Sequence, residues 1–368
     1  MANRRSYGQN ALAASQEIGV EETPVFKIDV PVSPAVKCVI LGAGAWGTAV
    51  AIHLASRGQM VILVPRDEAH AQRMRAKNGN PEYIPDVHFP GNLQISSNFA
   101  AARDCDFVFF ACPSAGIVEF CQRIHAALSP AHSSQKPFLI TLCKGLVPGS
   151  LCLPLSVVRE VLPTFPCGVL SGPTHALDVA WGLPTAAVLA AEAPPEVVQL
   201  AQWAINAPNF RVYMSADTTG VELGGCLKNP YAIGIGLAAG INYGDNGRAA
   251  LLTCMMAELV RIGVALGGAK ETFYGLSGLG DLFATSNGRW SRNRMFGERV
   301  GRGESPEAII KSQKSVVEGY GSAKHFYEIC RAKNLRTPIL DEIYSILYEN
   351  GRADCAFQKF MSGAPEWE

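Results

Sequence analysis

Short unbroken apolar runs punctuate the chain from residue 37 onward, at 39–41, 61–64, 107–111, 138–142, 168–170 and 186–190, most of them bounded by Gly, Pro or polar residues. Runs of this length that do not alternate with polar residues suit strands covered on both faces, as in a parallel sheet. Between them, residues 46–57, 68–77, 116–128, 151–161 and 196–205 read as helices. Strand and helix alternate, which predicts an α/β domain built on a doubly wound parallel sheet. After about Val212 the strand signals stop, and residues 218–240, 247–266, 289–300, 306–314, 323–333 and 339–348 read as helices with glycine-rich joints. The division expected is a flexible polar arm over 1–34, ending in Pro31 and Pro34, an α/β domain over 35–214, and an all-helical domain over 215–368.

The first run leads directly into Gly42-Ala43-Gly44-Ala45-Trp46-Gly47 and then a helix. Glycines so spaced, after a strand and before a helix, form a dinucleotide-binding turn. Gly42 permits the tight bend, Gly44 lets backbone approach a pyrophosphate, and Gly47 lets the helix pack close to the strand. The helix start adds unpaired N–H groups and a partial positive charge. A second strand ends at Val64-Pro65-Arg66-Asp67. An acid there would accept the ribose hydroxyls of NAD, whereas the Arg66 guanidinium suits the 2′-phosphate of NADP. Either cofactor is allowed.

Composition narrows the class. The 368 residues are 48% hydrophobic and carry 32 basic against 32 acidic side chains. Zero net charge gives no general attraction to nucleic acid or an anionic membrane. The odd number of cysteines, 11, contains no C-x-x-C pair and fits free thiols in a reducing cytoplasm. No apolar run follows Arg4 and Arg5 as a signal peptide requires, and residues 223–241, with Lys228, Asn229 and Pro230, do not suit a membrane span. No group of ligand-type residues has metal-site spacing.

Lys228 is the strongest candidate for chemistry. It lies among small and apolar residues, where burial would destabilise its charged form and bring its pKa toward neutrality. Such a lysine can exchange a proton with a carbinol–carbonyl pair. Lys144 follows the run 138–142 at the carboxyl edge of the sheet, where ligands bind in open α/β folds, and its charge would push Lys228 the same way. Ser171-Gly172-Pro173-Thr174-His175-Ala176 follows another strand; its His175 could serve as a base but has no evident partner and reads more readily as structural. Asp281, in the glycine-rich stretch 278–281, can accept a hydrogen bond from a lysine or a hydroxyl, or merely cap a turn. Arg292 and Asn293 offer donors suited to a phosphate dianion. The arginine-rich stretch 289–304 is otherwise a solvated helix face.

Together these segments resemble the NAD(P)-dependent glycerol-3-phosphate dehydrogenase family in its bacterial-type form. The resemblance rests on the stretches at 42–49, 143–145, 171–176, 220–229, 278–281, 291–293 and 316–319, in family order. It covers about residues 37–360, leaving 1–34 outside. It implies a Rossmann-like domain followed by a helical domain, and reversible hydride transfer between NAD(P)H and dihydroxyacetone phosphate, supplying glycerophospholipid synthesis.

By the same resemblance, Lys228 is the proton acceptor when glycerol 3-phosphate is oxidised, and Lys144, Asp281 and Thr285 share its site. Gly172, Thr174, Ser291, Arg292 and Asn293 match substrate-binding positions. Ala45, Trp46, Arg66, Ala176, Val316 and Glu318 match cofactor-binding positions beside the glycines, with Lys144 and Arg292 also reaching the cofactor. The chain departs from the family at Cys143, where Thr or Ser is usual, at Pro230, which could kink the helix carrying Lys228, and at Ala239-Gly240, which replaces Asp-Gly. A soluble cytoplasmic homodimer acting on a small phosphate substrate is expected. The alternatives are a related β-hydroxyacid dehydrogenase with a carboxylate substrate, a catalytically inactive dinucleotide sensor, and an arginine-driven nucleic-acid binder.

Overall fold

The apolar runs become the inner strands of one sheet. In the computed structural model, which describes residues 35–128, 136–312 and 316–362, the strands are β1 (Lys37–Leu41), β2 (Met60–Val64), β3 (Gly79–Asn80), β4 (Ile84–His88), β5 (Leu93–Ile95), β6 (Phe107–Phe110), β7 (Phe138–Thr141), β8 (Cys167–Ser171), β9 (Thr185–Glu192) and β10 (Phe210–Ser215). The eight-stranded sheet has the order β10-β9-β8-β7-β6-β1-β2-β5, and β3 and β4 form a separate ribbon. The expected arm over 1–34 and the end of the helix expected at 306–314 fall outside the described residues.

Period-two side-chain direction sorts the strands onto two cores. Cys38 and Ile40 pack with Val61, Leu63, Phe107 and Phe109 on one face, and Val39 and Leu41 with Val64, Val108 and Phe110 on the other. The helices α1 (Ala45–Ser56), α2 (Glu68–Lys77), α3 (Ile117–Leu128), α4 (Pro154–Val161) and α6 (Pro195–Ile205) follow their strands in the doubly wound manner, and the short α5 (Ala176–Ala180) lies between β8 and β9.

Two expectations about the sheet need correction. It is not parallel throughout: β9 runs antiparallel to β8, while β10 runs parallel to β9. Strand structure also does not stop near Val212, since β10 continues to Ser215. That strand lies at the sheet edge and alternates buried and exposed side chains, so it lacks the continuous apolar run that marks the inner strands.

The remaining chain is helical: α7 (Thr218–Gly240), α8 (Asp245–Ala265), α9 (Lys270–Phe273), a π-helical turn at Leu276–Gly280, α10 (Asp281–Asn287), α11 (Arg292–Gly301), α12 (Pro306–Ser312), α13 (Glu318–Ala332), α14 (Pro338–Tyr348) and α15 (Ala353–Ser362). Helix α7 is the axis of this part and is buried over nearly its whole length. Glycine makes that possible. A Cβ on Gly236 would stand 2.1 Å from the Arg294 carbonyl oxygen, and one on Gly297 would stand 2.1 Å from that of Ile233, so α7 and α11 cross backbone to backbone. Pro230 removes one N–H from the α7 ladder, yet the helix runs on to Gly240.

Buried glutamate side chains fasten α7 at two places. Glu258 of α8 accepts from Tyr231 Oη at 3.0 Å and from the Leu340 and Ile339 N–H groups at 2.8 and 3.1 Å, which satisfies the start of α14. Glu222 of α7 accepts from the Leu155 N–H at 2.8 Å, at the start of α4. Among the described residues no helix is long and apolar enough to cross a membrane, and no cluster of His, Cys, Asp or Glu could hold a metal ion.

Candidate active site

The order β5-β2-β1-β6-β7-β8 reverses direction between β1 and β6, the place where open α/β sheets leave a crevice at the strand carboxyl ends. The glycine loop leaves β1 there. Gly42 has φ +110°, and a Cβ on it would lie 2.6 Å from the Ala111 carbonyl oxygen beyond β6. A Cβ on Gly47 would lie 2.0 Å from the Gly42 carbonyl oxygen, whereas one on Gly44 would meet nothing within 4 Å. Loop and helix are thus tightly packed below and open above, a cradle that fits a dinucleotide pyrophosphate. Gly44 caps α1, and Ala45 and Trp46 form its first turn with unpaired N–H groups. The indole N–H of Trp46 is buried without a protein partner.

Arg66 stands two residues beyond β2, exposed, 3.6 Å from Asp67. The nearby acids are both engaged. Asp67 accepts from the His70 N–H at 2.8 Å as the cap of α2, and Glu68 is held by Arg75 and by Ser97 Oγ, the latter at 2.6 Å. The His70 N–H holds the Asp67 carboxyl below its ordinary value, and the Ser97 hydroxyl together with Arg75 does the same for Glu68. Ala176 opens α5, Val316 is exposed, and Glu318 opens α13. Burial raises the Glu318 pKa, with Arg292 and Ser114 opposing.

Across the crevice, two lysines share one aspartate. Lys228 Nζ donates to Asp281 Oδ1 at 2.7 Å and to Thr285 Oγ1 at 2.6 Å. Lys144 Nζ donates to Asp281 Oδ2 at 2.7 Å, to the Gly172 carbonyl at 2.8 Å and to Thr174 Oγ1 at 3.2 Å. Asp281 opens α10 immediately after the π-helical turn, so the glycine-rich turn expected there is instead helical backbone that aims Asp281 and Thr285, one turn apart, at the lysines.

Lys228 and Asp281 are only 7% and 3% exposed. Burial brings the Lys228 ammonium down to about 8; Asp281 opposes that shift and Lys144 reinforces it. Burial alone would raise the Asp281 carboxyl, but the two ammonium groups overcome it and hold it below its ordinary value. Two cations and one anion leave the cluster with a net positive charge where an alkoxide could form.

A chain of side-chain amides backs this cluster. Asn229 Nδ2 donates to the Lys144 carbonyl at 2.8 Å, Asn293 Nδ2 donates to Asn229 Oδ1 at 2.8 Å, and the Gly319 N–H donates to Asn293 Oδ1 at 3.0 Å. The sheet edge, α7, α11 and α13 are thereby locked around the site. Sequence reading did not single out Asn229; its position beside Lys228 was the one available signal. Asn293 spends both ends of its amide in this chain, leaving one amide proton for a ligand. Ser291 caps α11 by accepting from the Arg294 N–H at 3.2 Å, and Arg292 is exposed on the helix's first turn, an arrangement that favours an anion.

Other residues stay apart from the cluster. His175 lies 3.5 Å from Asp178 and is not among the hydrogen-bond or ion-pair partners of either lysine. Cys143 turns its thiol to the Cys112 carbonyl at 3.1 Å, a packing role. The Ala239-Gly240 pair lies eleven residues along α7 from Lys228, about 16 Å at 1.5 Å per residue, against Gly301 and not at the site. Pro230 leaves Lys228 in contact with Asp281.

A reversal-point crevice with a glycine cradle, facing a buried lysine of lowered pKa, defines a dinucleotide-dependent dehydrogenase. Residues 37–196 match the family described as NAD-dependent glycerol-3-phosphate dehydrogenase N-terminus, and residues 217–358 match its C-terminus. The chain belongs to the NAD-dependent glycerol-3-phosphate dehydrogenase family. It is 39% identical over 328 residues to a glycerol-3-phosphate dehydrogenase [NAD(P)+] of Nitrosomonas eutropha, covering 89% of this chain and 97% of that one. It is 40% identical over 313 residues to the enzyme of the same name from Pseudoalteromonas translucida, covering 84% and 92%. The crystal structure of glycerol-3-phosphate dehydrogenase from Coxiella burnetii superposes with a TM-score of 0.83 at 33% identity, covering 90% of this chain and all of the other.

Proposed function

We propose that this chain transfers a hydride reversibly between NAD(P)H and dihydroxyacetone phosphate, giving glycerol 3-phosphate. The observation that carries the reading is the Lys228–Asp281–Lys144 cluster at the carboxyl edge of the sheet, its first two members buried and Lys144 partly so, in a chain of this family. The bound nicotinamide supplies or accepts the hydride. In reduction, Lys228 donates a proton to the oxygen at substrate C2; in oxidation its neutral amine takes that proton back. Lys144 adds positive charge beside the same oxygen, which favours the transition state over the ground state. Asp281 holds both ammonium groups at fixed separation, and Thr285 fixes the second bond of Lys228. The start of α11, with Ser291, Arg292 and Asn293, takes the substrate phosphate, while Gly172 and Thr174 line the Lys144 side.

Gly42, Gly44, Ala45, Trp46 and Gly47 cradle the pyrophosphate, and Ala176, Val316 and Glu318 complete the cofactor's surroundings. Arg66 favours NADPH over NADH, because Asp67 and Glu68 are spent on a helix cap and an ion pair. The chain divides into a cofactor domain over 35–214 and a substrate domain over 215–368, a reading supported by the change from sheet to helices between Ser215 and Thr218. The lack of a disulfide among the described cysteines supports a cytoplasmic location, from which the product would enter glycerophospholipid synthesis. Exposed Tyr213 and Met214 at the open β10 edge support a homodimer, and a monomer mass by light scattering would retire that part.

The test is absorbance at the reduced-nicotinamide band on adding dihydroxyacetone phosphate to purified protein. NADPH consumption with stoichiometric glycerol 3-phosphate supports the reading. Cofactor binding without turnover on this ketone overturns it.

A further inference from the structure

The ribbon of β3 and β4 places one side chain beneath the glycine loop. Asn80 is 1% exposed and lies in β3. Its Nδ2 donates to the Ala43 carbonyl at 2.9 Å and to Thr48 Oγ1 at 2.8 Å. A carbonyl oxygen can only accept, so the atom facing Ala43 must be the amide nitrogen, and both of its protons are used. The Oδ1 that remains lies 3.2 Å from His70 Nε2, which must then carry a proton to donate to it. His70 in turn is anchored through its N–H to Asp67, the residue after Arg66. A relay thus runs from the tip of β2 through His70 and Asn80 to Ala43, the residue between the first two glycines of the loop.

The peptide plane gives this relay a consequence. In a trans peptide the carbonyl and the next N–H point in opposite directions. Fixing the Ala43 carbonyl toward Asn80 therefore fixes the Gly44 N–H away from it. Gly44 is the residue whose Cβ would meet no atom within 4 Å, so the loop borders open space at this point. It is also the cap of α1, and Asn80 grips that helix a second time through Thr48, which begins its ladder by donating its N–H to the Gly44 carbonyl at 2.9 Å. Without Asn80 the buried Ala43 carbonyl loses its donor and the peptide is free to turn.

We propose that Asn80, oriented by His70, is a positioning residue for the cofactor: it sets the peptide between Ala43 and Gly44 so that the Gly44 N–H faces the dinucleotide pyrophosphate. The proposal rests on the assignment of the glycine loop to that pyrophosphate. It extends the cofactor site to a ribbon whose Asn80 bonds the glycine loop and not the lysine cluster, and it predicts a loss confined to cofactor binding.

Asn80→Asp keeps the shape and removes both donors, setting a carboxylate against the Ala43 carbonyl. The experiment measures NADPH Kd by fluorescence, with steady-state kcat and both KM values, for the full-length wild type, Asn80→Asp, His70→Phe and Gly44→Val. Expected for Asn80→Asp is a tenfold or greater rise in Kd and KM for NADPH, with saturating kcat within threefold and KM for dihydroxyacetone phosphate unchanged. An NADPH Kd within twofold of wild type, while Gly44→Val weakens binding, overturns the role of Asn80 alone. An unchanged Kd in Gly44→Val overturns the loop assignment beneath it. Losses spread equally over kcat and both KM values mark Asn80 as merely structural and also overturn the proposal. If Asn80→Asp does not fold, the decision passes to His70→Phe, for which a threefold or greater rise in NADPH Kd is expected and an unchanged value is contradictory.

Discussion

Lys228 and Asp281, 53 residues apart in sequence, meet at 2.7 Å in a site that is almost closed to solvent. Their pairing resolves a conflict that burial alone would create. A lone buried ammonium would lose its proton outright, and a lone buried carboxylate would keep one. Paired, with Lys144 on the second carboxylate oxygen, the aspartate stays ionised and Lys228 is poised at about 8. A proton can then leave or return to Lys228 near neutral pH.

The pH profile follows directly. Oxidation of glycerol 3-phosphate needs neutral Lys228, so kcat/KM should rise with pH and level off above an apparent pKa of about 8. Reduction needs the ammonium form, so its profile should fall through the same region. Initial rates in both directions between pH 6 and 10 check this, and two profiles that rise together would contradict it.

Asp281→Asn leaves the two ammonium groups facing each other without their shared anion. Lys228 loses the charge that opposes its deprotonation, so the oxidative profile should shift to lower pH. Turnover should fall by roughly 100-fold, the order expected when one charge-positioning group leaves a preorganised site. A profile that stays in place with unchanged kcat would show that Asp281 does not govern Lys228.

Arg66→Ala removes the cation at the tip of β2. A hydrogen bond to a charged group contributes about 1.5–3 kcal/mol, so KM for NADPH should rise by roughly 10- to 100-fold. KM for NADH should change by less than about threefold, since Arg66 has no phosphate to meet there. Equal losses with both cofactors would sink the 2′-phosphate assignment.

Glu222 offers a prediction about stability. Burial raises its carboxyl to about 8, against the Leu155 N–H and Arg159, so the folded protein holds a proton that the unfolded chain releases near 4.3. Its contribution is therefore fully present below about pH 4 and is lost as pH rises toward 8. Glu222→Gln keeps an acceptor for Leu155 and has no proton to lose. Its Tm should approach wild type near pH 5 and exceed it by several degrees at pH 8, a difference of a few kcal/mol at most. A Tm gap independent of pH would contradict the linkage.

Much of this was legible in the residues. Strands buried on both faces announced themselves as unbroken apolar runs, and Lys228 stood out because a lysine among glycines and aliphatic residues has few structural reasons to be there. Strand β10 was missed because an edge strand alternates, and β3 because two residues carry no period. The π-helical turn before Asp281 was hidden in glycines that ordinarily mark loops. The amides of Asn80 and Asn229 could not be ranked from sequence at all, and Asn293 was legible as a phosphate donor but not as a link in the amide chain. An asparagine's role depends on which backbone groups the fold leaves unpaired beside it, and those appear only once distant segments have met.

The most direct test of the account compares wild type with Lys228→Ala in the reduction of dihydroxyacetone phosphate by NADPH at saturating concentrations of both. The account predicts at least a 1,000-fold loss of kcat, within about tenfold of the usual reach of general acid catalysis, with NADPH Kd and the folded state preserved. A folded Lys228→Ala protein that turns over at a near-normal rate would contradict the central claim.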